Sequence, residues 1–367
     1  MDKEKPKIVI VAEKERVVYH RFALILKNDF IVKEFYIVSN PDNPPILLKR
    51  WLSSIKNWRK VLKKFKPDKI IICGGALIST WIIVLWIRLL KLKIEIISFR
   101  YDIEYFRPYP DKLVEKLGHF ISRKLEKFCL IRSDKIIHKG LKNELEFLPF
   151  YRKIRDKPHH LLREFLDKHV IQKYNPNGKL TKKDGQIHVV YGGGWHFKDD
   201  CTSDSFFKIH EPLLKNKCHV HLYTKITDNK KRKILEDFQN KYSNFHYEGY
   251  LSHNKFIKEC TKYNFGTDFN GFLRQNKTSI FVKTVFSNKN FDYIVAKLPI
   301  LTNTEAEAKS DFVIDNKIGF SFKLNEYNKA SIYKKLSDKK KYGEFIRNIE
   351  KFINKYSDNK FVAFIEY

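Results

Sequence analysis

The sequence predicts an α/β protein built from parallel sheets and divided into two domains. Three observations carry this. At 367 residues the chain exceeds what one hydrophobic core ordinarily serves. Short β-branched apolar runs alternate with helical patterns in both halves, the mark of parallel strands joined by helical crossovers. Between the halves, over residues 151–184, the rhythm decays into a polar, basic stretch holding Asn175-Pro176-Asn177-Gly178 and Lys182-Lys183-Asp184-Gly185, which is turn chemistry suited to a connection. The expected division is a first domain over 1–170, a linker over 171–185, a second domain over 186–345, and a C-terminal helix over 346–367 packing back on the first.

In the first half, Lys7 to Ala12 (KIVIVA) reads as a buried strand, residues 17–26 as a helix and 31–38 as a second strand. Pro41, Pro44 and Pro45 mark a loop. Residues 49–66 form an amphipathic helix, with Trp51, Ile55, Trp58, Leu62 and Phe65 on one stripe and Lys56, Arg59, Lys60, Lys63 and Lys64 opposite. The strand 69–73, closed by Gly74-Gly75, the apolar helix 77–90 and the strand 94–98 follow. A helix over 113–130 and a strand over 134–138 complete the half. The basic face of helix 49–66 suits an anionic membrane; equally, the apolar stripe can pack on the sheet and leave the lysines solvated. Both hold if only the basic face approaches lipid. Arg100-Tyr101-Asp102, with Glu104, lies just beyond the carboxyl end of a strand, where open α/β sheets bind ligands. Asp102 there would accept a proton from an attacking hydroxyl, or be an ordinary loop carboxylate.

The second half restarts with a strand over 187–191 (IHVVY), followed at once by Gly192-Gly193-Gly194-Trp195-His196. Glycines after a strand let the backbone approach a ligand and cradle a phosphate, although the run is neither a Walker loop nor GxGxxG. Strands over 219–223, ending in Thr224-Lys225, and 245–247, leading into Glu248-Gly249-Tyr250, come next. Then follow a helix over 254–263 and a short strand ending at Asp268. Residues 287–301 (SNKNFDYIVAKLPIL) open a helix at Phe291, stop it at Pro299 and begin a strand at Ile300. Asp292 falls in that helix's first turn, where carboxylates are favoured. Residues 311–314 and 318–320 read as a short strand and turn, and a last helix spans 340–356.

Composition bounds the partners. A hydrophobic content of 43%, with 15% aromatic residues, is ample for burial, and the formal net charge of +30 favours phosphorylated small molecules, acidic lipid surfaces or nucleic acid. The lysines are spread along the chain, so part of the charge reads as compositional habit. Five cysteines (Cys73, Cys129, Cys201, Cys218, Cys260) without CxxC spacing point to reduced, buried thiols in a cytosolic protein. No signal-peptide pattern follows Met1, and the most apolar run, 77–87, is too short to span a bilayer. The thirteen histidines show no HExxH spacing and read as packing or hydrogen-bonding residues, three of them (His188, His219, His221) in strands.

Taken in order, HVVYGGGW, HVHLYT, NFHYEGYLS, SNKNFDYIVAKLPIL and IGFSF resemble the donor-binding C-terminal domain of GT-B glycosyltransferases of the family 4-like, group 1-like type. KPDKIIICGG and RSDKIIHKG resemble strands of the matching acceptor domain. The resemblance implies an α/β GT-B fold, two Rossmann-like domains whose parallel sheets face a central cleft holding a UDP- or GDP-linked sugar. By that likeness Asp292, an Asp where the family has Glu, binds the ribose hydroxyls, and a carboxylate accepts two such bonds well. Phe291 accompanies it in the motif. Lys289 lies near the diphosphate with Gly193 and Gly194 beneath it, and Glu248 and Tyr250 lie near the base. Lys225 or Lys198 replaces the family's missing Arg-x4-Lys pair. Thr284 stands where a Glu-x7-Glu pair would place its first acid, which leaves the stereochemical course open, and Ala12-Glu13-Lys14 replaces the usual glycines after the first strand.

The implied enzyme needs no cofactor and no metal, because basic side chains and a helix N-terminus stabilise the departing nucleotide; the lysine-rich segment 283–289 suits that role. The implied partners are the nucleotide-sugar donor, a glycan or lipid-diphosphate-linked acceptor for cell-surface polysaccharide, and an anionic membrane met by helix 49–66 on the cytoplasmic side. A sugar-nucleotide epimerase on the same fold is the alternative. A basic nucleic-acid-binding protein is a second, but no RRM, KH, OB or helix-turn-helix signature appears, so no nucleic acid is expected.

Overall fold

The computed structural model describes residues 4–12, 17–36, 47–74, 78–100, 103–107, 112–163, 166, 168–193, 203–269, 280–324, 331–356 and 359–366. They form two compact units, Met1–Phe165 with Ser357–Tyr367, and Leu166–Tyr356.

The first unit is a six-stranded parallel sheet of β1 (Lys7–Ala12), β2 (Ile31–Tyr36), β3 (Lys69–Cys73), β4 (Glu95–Phe99), β5 (Lys135–His138) and β6 (His159–Leu161), in the order β2-β1-β3-β4-β5-β6. Its central strands are apolar on both faces because helices cover both. One layer gathers Val9, Ile70 and Ile72 with Trp58 and Val61 of the helix Leu47–Phe65. That helix turns its apolar side inward, while Lys56, Arg59, Lys60, Lys63 and Lys64 face solvent. The side chains of Trp51 and Ile55 lie outside the described residues. On the opposite layer Phe22 stacks on Phe99 with ring centres 5.2 Å apart.

The segment read as one C-terminal helix is two. Lys339–Lys355 belongs to the second unit, and Asn359–Glu366 to the first, where Phe361 and Ile365 are buried beside Phe22. The strand β6 went unread because it is three residues long and polar at two of them.

The second unit is another six-stranded parallel sheet, β7 (His188–Gly192), β8 (His219–Tyr223), β9 (Phe245–Gly249), β10 (Phe265–Thr267), β11 (Ile300–Asn303) and β12 (Gly319–Phe322), ordered β12-β11-β10-β7-β8-β9. The chain lays down β7, β8 and β9 in one direction, then crosses back to place β10 on the far side of β7. This is the doubly wound pattern, and its switch point lies between β7 and β10.

Two expectations are corrected here. Residues 171–185 are not a free connection: the buried Lys179 ammonium donates to Tyr263 O at 2.6 Å, and Leu180 N donates to Lys262 O at 2.9 Å, so the segment is built into the second unit. Residues 311–314 are helical, within Glu307–Asp315, because Phe312 and Val313 fill a helix-to-sheet contact beside Phe286 and Phe291. An apolar pair in a short window does not separate the two periods.

One face of β7, β8 and β9 is apolar, with Val189, Val220, Leu222 and Phe245 in the core. The other carries four histidines. His188 stacks on His219 at 4.6 Å between ring centres, His219 on His246 at 5.2 Å, and His221 on His246 at 4.5 Å. Among the described residues the cysteines are buried and free, and burial pushes the Cys218 thiol up to about 12. They pack as small apolar residues.

Candidate functional site

The carboxyl edge of the second sheet collects most of the residues singled out in the sequence. The helix Lys289–Val295 is pinned there by Tyr293, whose buried hydroxyl donates to Thr267 O of β10 at 3.1 Å. Gly266 makes room for that ring, since a Cβ there would stand 2.5 Å from it. Lys289, one turn before Tyr293, is thereby held over the switch point between β7 and β10.

Beneath it lies Asp268, the first residue after β10. Its Oδ1 receives Lys309 Nζ at 2.9 Å and Lys289 Nζ at 3.4 Å, while its Oδ2 is buried without a partner. Burial works to raise the Asp268 pKa, but Lys309 and Lys289 outweigh it and hold the carboxyl below the ordinary range. Burial likewise works against the Lys289 charge, and Tyr191 with Asp268 overrides it, so the ammonium stays protonated above the usual lysine range. The same ammonium sits 4.8 Å from the centre of the Tyr191 ring, a cation–π contact that favours a fixed charge.

Gly193 follows β7 with φ +134°, a backbone conformation that side chains rarely adopt, and an added Cβ would come 3.5 Å from Lys289 Cδ. Its N–H is already donated to Tyr223 O at 3.1 Å. The expected cradle is therefore corrected in kind: Gly193 offers bare backbone beneath Lys289, not an N–H donor. Gly194, Trp195 and Lys198 lie outside the described residues, as does Asp102. The neighbourhood of Asp102 is described: Arg100 is buried at the end of β4, donating Nη1 to Gly74 O at 2.7 Å.

Asp292 is on the same helix as Lys289, nearly buried, with Oδ1 accepting from His253 Nε2 at 2.8 Å. His253 opens the helix that follows β9. In the sequence it is one histidine among thirteen, and its partner stands 39 positions away. Phe291, expected to touch the donor, is instead a packing residue. It is buried at 3% and stacks on Phe312 with ring centres 5.5 Å apart. Adjacent positions on a helix face directions about 100° apart, so Phe291 and Asp292 cannot share one target. Thr284, where an acid is absent, spends its hydroxyl on Ile280 O at 2.9 Å.

Glu248 is the penultimate residue of β9, Tyr250 follows that strand, Lys225 follows β8, and Lys225 and Tyr250 are exposed. Glu248 is anchored. A hydrogen-bonded chain runs from Asp184 to His188 (2.9 Å), from His188 Nδ1 to His221 Nε2 (3.0 Å), and from His221 Nδ1 to Glu248 Oε1 (2.8 Å). The His221 hydrogen bond is the main cause that keeps the Glu248 pKa below its usual value.

Burial holds His188, His210 and His246 down to about 4, with neighbouring imidazoles adding to the effect at His188 and His246. In the unfolded chain these groups bind protons near 6.5, so between roughly pH 6.5 and 4 the unfolded state holds more protons. The stability they contribute is complete above about 6.5 and is lost as pH falls toward 4. Thermal unfolding followed across that range is expected to show a steep fall in midpoint. Replacing His210, whose ring nitrogens contact Phe206 O and Thr267 Oγ1, as His210→Asn should flatten that fall. An unchanged slope would refute the assignment.

Two doubly wound parallel sheets, the second with a charged edge at its switch point, define a protein of the two-domain Rossmann-like class. No protein-family model and no curated protein matches the chain. Solved structures do match in fold. The catalytic domain of starch synthase IV from Arabidopsis thaliana aligns with TM-score 0.64 and 10% identity over 99% of this chain and 98% of that one. A glycosyltransferase from Rickettsia africae aligns with TM-score 0.61 and 13% identity over 98% and 97%. A Listeria monocytogenes protein assigned as a UDP-N-acetylglucosamine 2-epimerase aligns with TM-score 0.59 and 10% identity over 94% and 91%. The chain has a GT-B glycosyltransferase-like fold.

Proposed function

We propose that the chain is a glycosyltransferase that moves a sugar, a hexose by the resemblance, from a UDP- or GDP-linked donor to a glycan or lipid-diphosphate-linked acceptor in cell-surface glycan synthesis. The observation that carries this reading is the convergence of Gly193, Lys289 and Asp292 on the carboxyl edge at the switch point of the second sheet. The Asp292 carboxylate, steadied by His253, has a second oxygen to offer ribose hydroxyls. Lys289 is the charge for the diphosphate. Lys309 holds Asp268 at the shorter distance, so Lys289 can turn to a phosphate without leaving Asp268 without a cation. Negative charge then builds on the departing diphosphate next to a fixed ammonium, which lowers the barrier without a metal ion. Glu248 and Tyr250 flank the base, Lys225 adds charge along the same edge, and Asp102 is the candidate base for the acceptor hydroxyl. The protein works on the cytoplasmic side, at the inner face of an anionic membrane.

A thermal-shift panel of UDP-, GDP-, CMP- and dTDP-sugars, run with and without EDTA, tests the reading. Stabilisation by UDP- or GDP-sugars alone, insensitive to EDTA, is expected; saturation at a hundredfold excess over Kd would add about 2.7 kcal/mol. No response to any sugar nucleotide, together with tight RNA binding, would overturn it. Likeness to the Listeria protein, named for epimerisation, supports a second reading on the same donor site. Interconversion of free UDP-sugars without an acceptor would favour that one.

A further inference from the structure

We infer that the first two turns of the helix Leu113–Arg132 insert into the surface of an anionic lipid bilayer and anchor the protein there. The two helices divide the requirements for membrane contact. Leu47–Phe65 presents lysines and Arg59 to solvent, but its described apolar residues Trp58 and Val61 are in the core. Among its described residues it can meet headgroups electrostatically and exposes no large apolar side chain.

Leu113–Arg132 is the reverse. Leu113 and Val114 are 82% exposed, and Leu117, Phe120 and Ile121 continue the stripe, down to 42% at Ile121. At 100° per residue these five fall within an arc of about 120°. Glu126, Cys129 and Leu130, the helix's buried residues, lie on the opposite side. The apolar stripe therefore points away from the unit's own core. An exposed run of large aliphatic and aromatic side chains at helical spacing is the pattern that seeks another apolar phase.

Charge selects which phase. Lys116 and Lys124 are exposed along the stripe, and Lys124 Nζ lies 5.1 Å from the Phe120 ring. The exposed acid of these turns, Glu115, projects from the far side of the helix. Apolar side chains ringed by lysines match acyl chains beneath anionic headgroups. Placement fits as well. The helix runs antiparallel to the strands it joins, so its exposed first turns project beyond the carboxyl edge of the first sheet. Glu104 N and Tyr105 N of the preceding turn donate to Glu126 at 3.0 and 2.9 Å, fixing that turn to the helix. A membrane-borne acceptor would thus lie on the side of the sheet where β4 ends. The inference deepens the membrane part of the proposed function, and its test reads lipid binding alone, so it can fail while donor binding stands.

The test is co-sedimentation of the full chain with phosphatidylcholine vesicles, with and without phosphatidylglycerol. Val114→Asp with Leu117→Asp is expected to cut binding to the anionic vesicles roughly tenfold or more. The unfolding midpoint and UDP-sugar response should be unchanged, since both positions are solvated. Lys60→Glu with Lys64→Glu should cost less, and its effect should vanish at high salt. Wild-type protein that ignores anionic vesicles, or a Val114/Leu117 variant that binds them undiminished, would overturn the inference. So would a dimer in solution that this variant dissociates, which would make a second copy the occupant of the stripe.

Discussion

Asp292→Ala is expected to weaken binding of the nucleotide-sugar donor by roughly ten- to a hundredfold while leaving the fold in place. A hydrogen bond to a charged group contributes about 1.5–3 kcal/mol, and each 1.4 kcal/mol is tenfold in affinity. The stability cost should be smaller, because the substitution removes one bond, from His253, at the edge of the sheet. Calorimetric titration with UDP and with its 2′-deoxy analogue checks both the size and the cause. In the wild-type protein the deoxy analogue should bind more weakly; in Asp292→Ala the two should bind alike, because the group that reads the hydroxyl is gone. If the variant still distinguishes them, Asp292 is not the ribose contact. His253→Ala should give a partial loss in the same direction, through freedom restored to the Asp292 side chain.

The second large effect is on folding. Asp268→Ala should destabilise the protein by about 3–5 kcal/mol, as breaking one partner of a buried ion pair does. Asp268 and Lys309 are each 1% exposed. Removing the carboxylate takes away the negative charge that Lys309 and Lys289 share, and two like charges then face each other in a site of low polarity. Denaturant unfolding should show the loss as a lower midpoint with an unchanged slope. Combining Asp268→Ala with Lys309→Met should recover much of it, since one of the two facing positive charges is removed with the carboxylate. A single variant as stable as the wild type would mean that the ion pair is not what holds β10 to the helix Glu307–Asp315.

The architecture was largely open to reading in the sequence. KIVIVA, KIIIC and HVHLY are short, β-branched and flanked by turn residues, and each is a strand of a parallel sheet. The stretch from Lys289 to Leu301 is the helix and strand its spacing indicates. The errors have local causes. Phe312-Val313 is too short a run to tell helix from strand, and 171–185 looks like a linker because its anchors, Tyr263 and Lys262, are far along the chain. Phe291 was grouped with Asp292 because the two are adjacent, and adjacency is what a helix separates.

The site divides along the same line. Gly193, Lys289 and Asp292 could be singled out from the chain because a glycine after a strand and an acid in a helix's first turn are local features, dictated by backbone geometry and the helix end. The Asp268 carboxylate shared by Lys289 and Lys309, the His253 ring on Asp292 and the imidazole chain from Asp184 to Glu248 could not. Nor could the sequence say which of two amphipathic helices keeps its apolar face for the core and which leaves it in solvent. Periodicity reports that a face exists. What covers it, and which charges meet across the sheet, depends on strand order and crossing direction, and those bring together residues that the chain itself keeps tens of positions apart.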